Sequence, residues 1–282
     1  MSLCLRVQPD LSSAPVAVRP LAGRFNHVTC APSVALSPFV DHYWVSKWDR
    51  RGQPSKMAAS LLDPCVHLQI QDGRAVLMGV VRGTYRVRIH GIGCIVGVKF
   101  KPGGFNAFVP QPASRWTNRT LPADELCGGV RGSVTSWAHD LSADIMTCDG
   151  DATAHASIVA PRLNAFLEER EPQRDPSAEE ATALVQLIAT RPEVRRVIDL
   201  VQASGRSERS LQRLFAHYVG VSPAWTIRRY RLKSAAERLA SGRSDDVSGI
   251  AFELGYADQA HFIRDFRATI GVTPGSYLNS HA

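Results

Sequence analysis

The sequence predicts a multi-domain α+β protein, with a β-rich N-terminal domain and an all-α C-terminal domain. Two observations predict this division of the 282 residues. The stretch 20–128 is rich in Gly, Pro, Val and Ile and contains short alternating runs, whereas the chain from Ser177 onward spaces its apolar residues as helices do. Between them, 170–176 carries two prolines and mixed charge, which is typical of a linker.

The N-terminal stretch contains several runs with strand character, separated by turn residues such as Gln71-Asp72-Gly73. Short strands at close spacing predict a barrel or jelly-roll-like domain over 20–128. Residues 129–170 change to helical spacing and predict a helical connector, which is a possible dimerisation segment. The predicted strands are 65–70, 75–81, 85–90 and 94–100.

Composition restricts the class of protein. Hydrophobic residues make up 44% of the chain, enough for buried cores, and no apolar run approaches the roughly 20 residues that cross a bilayer. We therefore expect a cytoplasmic protein without a membrane partner. The six cysteines form no CxxC pair and are expected to be reduced thiols. From residue 183 onward there are 14 Lys and Arg against 9 Asp and Glu, a mild hint of a polyanionic partner.

The last third of the chain contains an internal repeat at an offset of 51 residues. In each copy two apolar residues four positions apart are followed by a glycine that ends the helix and a proline that prevents its continuation. Arg213 of the first copy recurs as Arg264. The other matching positions are Leu211, Phe215, Gly220, Val221, Ser222 and Pro223 in the first copy, and Phe262, Phe266, Gly271, Val272, Thr273 and Pro274 in the second.

Each copy is preceded by a short apolar helix and a tight turn that contains glycine. An N-cap residue then enters the second helix, Ser207 in the first copy and Asp258 in the second. Helix, short turn with Gly, helix is the helix-turn-helix arrangement. The sequence therefore predicts one unit at about 194–218 and another at about 247–270, joined by a connecting helix after Pro223.

The polar faces of the two second helices indicate the function. Leu211, Leu214, Phe215 and Tyr218 follow helical spacing and must be buried, which turns the neighbouring polar residues outward. Arg and Gln match guanine and adenine edges in the major groove. We therefore expect double-stranded DNA as the partner. The candidate DNA-binding residues are Ser207, Arg209, Gln212, Arg213, Gln259, His261 and Arg264.

These segments resemble the AraC/XylS family of bacterial transcription regulators. The resemblance rests on 207–215, on 255–266 and on Gly271-Val272-Thr273-Pro274, within 177–282. It implies a DNA-binding domain with two helix-turn-helix units, control of transcription, contact with RNA polymerase, and a habit of activation. Arg206 departs from the family pattern, which has a small or apolar residue there. Val201 stands where an alanine is usual.

The N-terminal part is similar to a poorly characterised domain found in a subset of these regulators. The matching residues are 38–44, Leu62-Asp63-Pro64 and 97–105, although Asp63-Pro64-Cys65 stands where the pattern has Pro-Asp-Gly. The resemblance implies a sensory and dimerisation domain of cupin-like β structure, hence a homodimer and a small-molecule effector whose binding residues are unknown. The aromatic residues that could line an effector pocket or fill the core are Phe25, Tyr43, Trp44, Trp48, Phe105, Phe108 and Trp116.

Two alternatives stay open. A metal-dependent enzyme fused to a DNA-binding domain would need converging ligands, but His27, His42, His67 and His90 are scattered. The sequence also lacks a P-loop and a nucleophile elbow, so we expect no enzyme, no metal and no cofactor. The other alternative is a module that responds to a protein partner through the helix near 158–167.

Overall fold

The computed structural model describes residues 24–127, 134–148, 152–241 and 246–279. Within these ranges the chain is β-rich up to Cys127 and helical from residue 134 onward, which confirms the predicted fold class. The described helices include none with the length and apolar character that a membrane span requires.

The N-terminal domain is built on antiparallel strands. Six of them form one sheet in the order β1-β2-β7-β4-β5-β8, and β3 pairs with β6 in a separate ribbon. The main sheet is open, with β1 and β8 at its edges, so the barrel-like prediction holds for the β-rich character and not for closure. The strands are β1 (Arg24–Cys30), β2 (Val40–Arg50), β3 (Lys56–Ser60), β4 (His67–Gln71), β5 (Arg74–Met78), β6 (Tyr85–Ile89), β7 (Gly91–Phe100) and β8 (Thr120–Pro122).

Strand β7 lies centrally in the sheet, between β2 and β4. Its glycines leave room for large side chains of the neighbouring strand β2. Gly97 pairs with Trp44 of β2, and a Cβ at Gly97 would lie 2.2 Å from the Trp44 ring. Side chains larger than hydrogen are therefore excluded there. The β4–β5 hairpin turns at Asp72 and Gly73, both with positive φ, as the Gln71-Asp72-Gly73 sequence predicts.

The buried core of this domain explains most of its aromatic residues. Tyr43, Trp48, Phe105 and Trp116 are at most 8% exposed and pack as core, whereas Phe25 is 39% exposed. Of these four, Trp48 packs in a smaller cluster of its own. Most of the aromatic residues that could have lined an effector pocket are therefore core residues. Five cysteines among the described residues are free thiols, and Cys4 lies outside the described residues.

Helices α1 (Thr135–Thr147) and α2 (Ala152–Glu168) pack on the main sheet and share its hydrophobic core, which includes Leu163, Phe166 and Leu167. The connector predicted for 129–170 thus contains helices that lie against the sheet, although its residues 129–133 and 149–151 lie outside the described ones. Its dimerisation role and the exact domain boundaries stay predictions.

The C-terminal domain begins after the non-helical linker and divides into two cores. One core holds residues from α3 to the start of α6, and the other holds the remainder of α6 and the helices after it. The helices are α3 (Pro176–Thr190), α4 (Val197–Ser204), α5 (Glu208–Leu214), α6 (Pro223–Ala240), α7 (Val247–Glu253), α8 (Gln259–Ile270) and α9 (Pro274–Asn279).

Candidate nucleic-acid interface

The first helix-turn-helix unit consists of α4 and α5, which continues into a π-helical turn, Phe215–Val219. Gly205 ends α4 in the left-handed conformation, with φ 68°. The Ser207 hydroxyl then accepts a hydrogen bond from the backbone N–H of Ser210, which confirms the predicted N-cap. Phe215 is fully buried, so this second helix is fixed along its apolar side.

The second unit repeats this construction with α7 and α8. The Asp258 carboxylate accepts a hydrogen bond of 2.7 Å from the backbone N–H of His261, as predicted for an N-cap. Phe262 and Phe266 are fully buried, and Gly271 ends the helix with φ 94°. The repeat found in the sequence is therefore a repeat in structure.

The candidate DNA-binding residues lie on the exposed faces of the two second helices. All seven are exposed: Ser207, Arg209, Gln212, Arg213, Gln259, His261 and Arg264. Gln212 donates a hydrogen bond to Glu208 one turn earlier, and the His261 ring lies 3.7 Å from the Asp265 carboxylate. These contacts stay within each helix and leave the outer faces open.

Helix α6 connects the two units and belongs to both cores. Ile227 packs with the first unit, and Leu232, Ala235 and Leu239 pack with the second. Its 18 residues make it about 27 Å long at 1.5 Å per residue. A continuous helix that is buried in both units fixes their separation.

The departure at Arg206 has a structural explanation. Its guanidinium forms an ion pair with Glu180 of α3 and also donates to the Ser210 hydroxyl. The hydrogen bond from Arg206 lowers the pKa of Glu180. Arg206 therefore ties the first unit to α3. Val201 is half-buried at the edge of the same core, where it packs in place of the usual alanine.

Sequence reasoning treated α6 only as an apolar connecting helix and missed its contacts with the N-terminal domain. Arg229 is 3% exposed, and its guanidinium donates to the carbonyl oxygens of Leu62, Arg82 and Gly83. Burial lowers the pKa of Arg229 to about 10, which leaves it charged near neutral pH. The sequence feature that could have indicated these contacts is the run 228–233, which places four basic residues inside an apolar helix.

A second contact on α6 joins Lys233 to Asp63, with 2.8 Å between Nζ and Oδ1. Lys99 of β7 lies 2.8 Å from the other oxygen of the same carboxylate. Burial alone would raise the pKa of Asp63, but the two ammonium groups hold it well below its usual range. Asp63, where the sequence departs from the N-terminal pattern, is therefore a charged link between the two domains.

The scattered histidines do not converge on a metal site in the described part of the chain, where no group of three or more His, Cys, Asp or Glu is arranged to hold an ion. His67 is buried with its Nε2 at 3.4 Å from the Cys65 sulfur. Burial, together with the Lys99 charge, lowers the pKa of His67 to about 3. A neutral, enclosed histidine is a core residue.

Two helix-turn-helix units on one connecting helix define a bipartite DNA-binding domain. Residues 200–280 match the family model described as a helix-turn-helix domain, and 28–122 match one described as a domain of unknown function, DUF6597. The resemblance of the C-terminal domain to the AraC/XylS family is thereby confirmed.

The similar proteins are regulators of transcription. The HTH-type transcriptional regulator MtrA of Neisseria gonorrhoeae is 33% identical over 95 residues, 33% of this chain and 31% of MtrA. Transcriptional activator NphR of Rhodococcus sp is 29% identical over 180 residues, 59% of this chain and 50% of NphR. The chain thus spans about a third to a half of the length of these relatives. These relatives support the interpretation of the chain as a transcription regulator, and they give no support to the alternative of a metal-dependent enzyme.

A solved structure of an apo ToxT variant from Vibrio cholerae aligns over most of both chains. It covers 94% of this chain and 99% of that one, with 14% identity and a TM-score of 0.40. ToxT with a bound unsaturated fatty acid aligns with 15% identity and a TM-score of 0.37, covering 91% of each chain.

Proposed function

We propose that this protein is a sequence-specific DNA-binding transcription regulator that reads two successive major grooves. The observation that carries the proposal is the pair of equivalent helices, α5 and α8, each capped at its N-terminus and each presenting exposed Arg and Gln side chains. The helix α6 holds them at a fixed separation. Major grooves on one face of B-DNA recur about every 34 Å, which suits two units on one rigid helix.

The residues have distinct proposed roles. Arg213 and Arg264 occupy equivalent positions in the repeat and are proposed to contact guanine edges with both guanidinium nitrogens. Arg209, Gln212, Gln259 and His261 are proposed to read neighbouring bases. Ser207 caps α5 and lies where a phosphate would approach the helix. Because the partner is DNA, the proposal places the protein in the cytoplasm.

Regulation is proposed to reach the DNA-binding domain through α6. The N-terminal domain contacts this helix at Arg229 and Lys233, both of which form hydrogen bonds with the segment around Asp63. An effector or a second copy that shifts this segment would change the presentation of the two units. A small-molecule effector, a homodimer and contact with RNA polymerase belong to this proposal, and activation is supported by relatives named as activators.

The test is selection of bound duplexes from a random DNA library, with wild type and with the double variant Arg213→Ala/Arg264→Ala. We expect wild type to enrich a motif of two blocks about one helical turn apart. The variant should lose this motif, because each arginine contributes roughly 1–3 kcal/mol of base discrimination. Arg51→Ala/Arg74→Ala, two exposed arginines of the N-terminal domain, is the control with the same loss of charge.

Two results would contradict the proposal. Wild type that enriches no motif, with an affinity that only falls as salt rises, would show non-specific binding. Equal weakening of the Arg213→Ala/Arg264→Ala variant on all DNA sequences would show that these arginines touch phosphate and not bases.

A further inference from the structure

A cleft of about 470 Å³ lies at the junction of the two helix-turn-helix units. Arg195 and Arg196 precede α4 of the first unit, Arg228 and Arg231 lie on α6, and the second unit contributes the turn before α8. The cleft is lined by Arg195, Arg196, Arg228, Arg231, Tyr256 and His261, among others. Four arginine side chains thus surround one depression.

Acidic residues neutralise only part of this charge. Asp265 lies 3.7 Å from both Arg228 and His261, and so is shared between them. Arg196 has a distant partner in Asp199, at 3.9 Å. In the described ranges, no carboxylate forms an ion pair with the Arg195 or Arg231 side chain. The cleft therefore has a net positive charge.

Arg231 adds a half-buried positive charge to the wall of the cleft. Its guanidinium lies over the Tyr256 ring, 4.3 Å from the ring centre. Its Nε and Nη2 atoms are buried and lack a hydrogen-bond acceptor among the described residues. Burial and the nearby Arg195 charge lower the pKa of Arg231. An oxyanion in the cleft would relieve the repulsion between the arginines and accept hydrogen bonds from the exposed side chains of Arg195, Arg196 and Arg228.

We propose that this arginine cleft, defined by Arg195, Arg196, Arg228 and Arg231, binds backbone phosphate of the DNA segment between the two major grooves. The inference rests on the proposed function and adds a site that the recognition helices do not contain. A duplex that spans both units must pass their junction, and His261 belongs both to the exposed face of α8 and to the cleft lining. Guanidinium groups bind phosphate with two parallel hydrogen bonds.

The experiment measures the affinity of the full chain for a random-sequence duplex at a series of KCl concentrations. Each phosphate neutralised contributes about 0.9 to the slope of log affinity against log salt. We expect Arg195→Gln/Arg228→Gln to reduce that slope by about 1–2. Arg51→Gln/Arg74→Gln, exposed arginines of the N-terminal domain with the same charge change, should leave it unchanged. Arg231 is kept, because its stacking on Tyr256 also supports the fold.

A second measurement locates the phosphate. Methylphosphonate linkages, which remove the charge of single phosphates, are placed between the two blocks of the selected motif. We expect them to weaken wild type and to have little further effect on the Arg195→Gln/Arg228→Gln variant. Arg195→Gln alone should give the same result at about half the size if the double variant folds poorly, because Arg195 is exposed and its side chain forms no ion pair within the described part of the chain.

The outcomes separate the two proposals. An unchanged salt slope in a folded Arg195→Gln/Arg228→Gln variant that still selects the two-block motif overturns the phosphate cleft and leaves the proposed function standing. The same unchanged slope together with a higher Tm of wild type in millimolar pyrophosphate would assign the cleft to a free phosphate and also overturn it. Absence of DNA binding by wild type overturns the proposed function itself.

Discussion

The two helix-turn-helix units share a sequence repeat, but they have different surroundings. The first is bound to the rest of the molecule: its core includes Val80 of the N-terminal domain, and the Gly220 carbonyl oxygen accepts a hydrogen bond of 2.6 Å from Thr117. The second has a small core of its own, made from α6 and the later helices. Near the end of α8, the carbonyl oxygen of Thr269 accepts a hydrogen bond of 2.7 Å from Thr84 of the N-terminal domain.

The two copies of the motif are thus held in the molecule by different contacts. Tyr218, at the end of the first unit, donates a hydrogen bond of 2.6 Å to Asp175, the N-cap of α3. The first unit is thus held by the linker, by α3 and by the N-terminal domain together. The second unit follows the orientation of α6. Asp63 of the N-terminal domain contacts Lys233 in the part of α6 that packs with the second unit.

The largest expected effect comes from removing the equivalent buried rings Phe215 and Phe266. Both are fully buried, so Phe→Ala at either position should cost about 3–5 kcal/mol of unfolding free energy. Hydrogen exchange should separate them: Phe215→Ala should loosen the first unit together with its contacts to the N-terminal domain, whereas Phe266→Ala should loosen α7 to α9. Identical exchange patterns in the two variants would show that the units form one cooperative core.

Arg229→Ala tests the hydrogen bonds that join α6 to the N-terminal domain. The substitution leaves the carbonyl oxygens of Leu62 and Gly83 without their buried donor, so we expect a loss on the order of 3 kcal/mol in urea unfolding. Arg228→Ala, the exposed neighbour, should change stability by about 0.5 kcal/mol or less. Comparable losses in the two variants would show that the buried contact contributes little.

Acid should weaken the N-terminal domain before the second unit. The pKa of His67 is about 3 in the folded protein because of burial and the Lys99 charge, against about 6.5 when unfolded. Below pH ~6.5 the unfolded state binds the extra proton, so stability falls as pH falls toward the folded pKa. From pH ~6.5 to ~5 the loss should be on the order of 2 kcal/mol.

His67→Gln should remove most of that pH dependence, measured by urea unfolding across the same range. His27, whose pKa is lowered mainly by burial, contributes in the same direction and accounts for the remainder. An unchanged slope in the His67→Gln variant would mean that His67 does not titrate as a buried neutral group.

The smallest difference concerns the glycines that end the two second helices. Gly220 and Gly271 have φ of 91° and 94°, so alanine is strained at both. At Gly220 the new Cβ would lie 3.0 Å from the backbone oxygen of Ala113, and at Gly271 it would meet only the movable end of Arg86 at 3.1 Å. We expect Gly271→Ala to cost about 1 kcal/mol and Gly220→Ala about 2, with thermal unfolding as the measurement. Equal losses would argue against the closer docking of the first unit.

Local patterns predicted the C-terminal domain well because its signals lie close together in the chain. The caps at Ser207 and Asp258, the turn glycine and the buried positions of each repeat all follow from helical spacing. The four predicted strands also correspond to β4 to β7. Strands β1, β2, β3 and β8 were not among the predicted runs. In β2, the longest of them, buried residues recur at irregular intervals rather than in alternation.

Contacts between distant segments could not be predicted in this way. The hydrogen bonds of Arg229 join residues 146 to 167 positions apart, and no local rule selects Leu62 and Gly83 as its acceptors. The arginine cleft likewise gathers Arg195, which precedes α4, and Arg228 of α6. Closure of the sheet depends on which strands meet at its edges, which strand runs alone do not determine.

The most direct test of bipartite reading combines single variants with half-altered DNA. The duplex selected by wild type is scrambled in one block at a time, and its affinity is measured for wild type, Arg213→Ala and Arg264→Ala. We expect each variant to become insensitive to scrambling of one block and to remain sensitive to scrambling of the other, with the two variants assigned to different blocks. If both variants respond to both scrambled duplexes as wild type does, Arg213 and Arg264 do not read bases and the account is wrong.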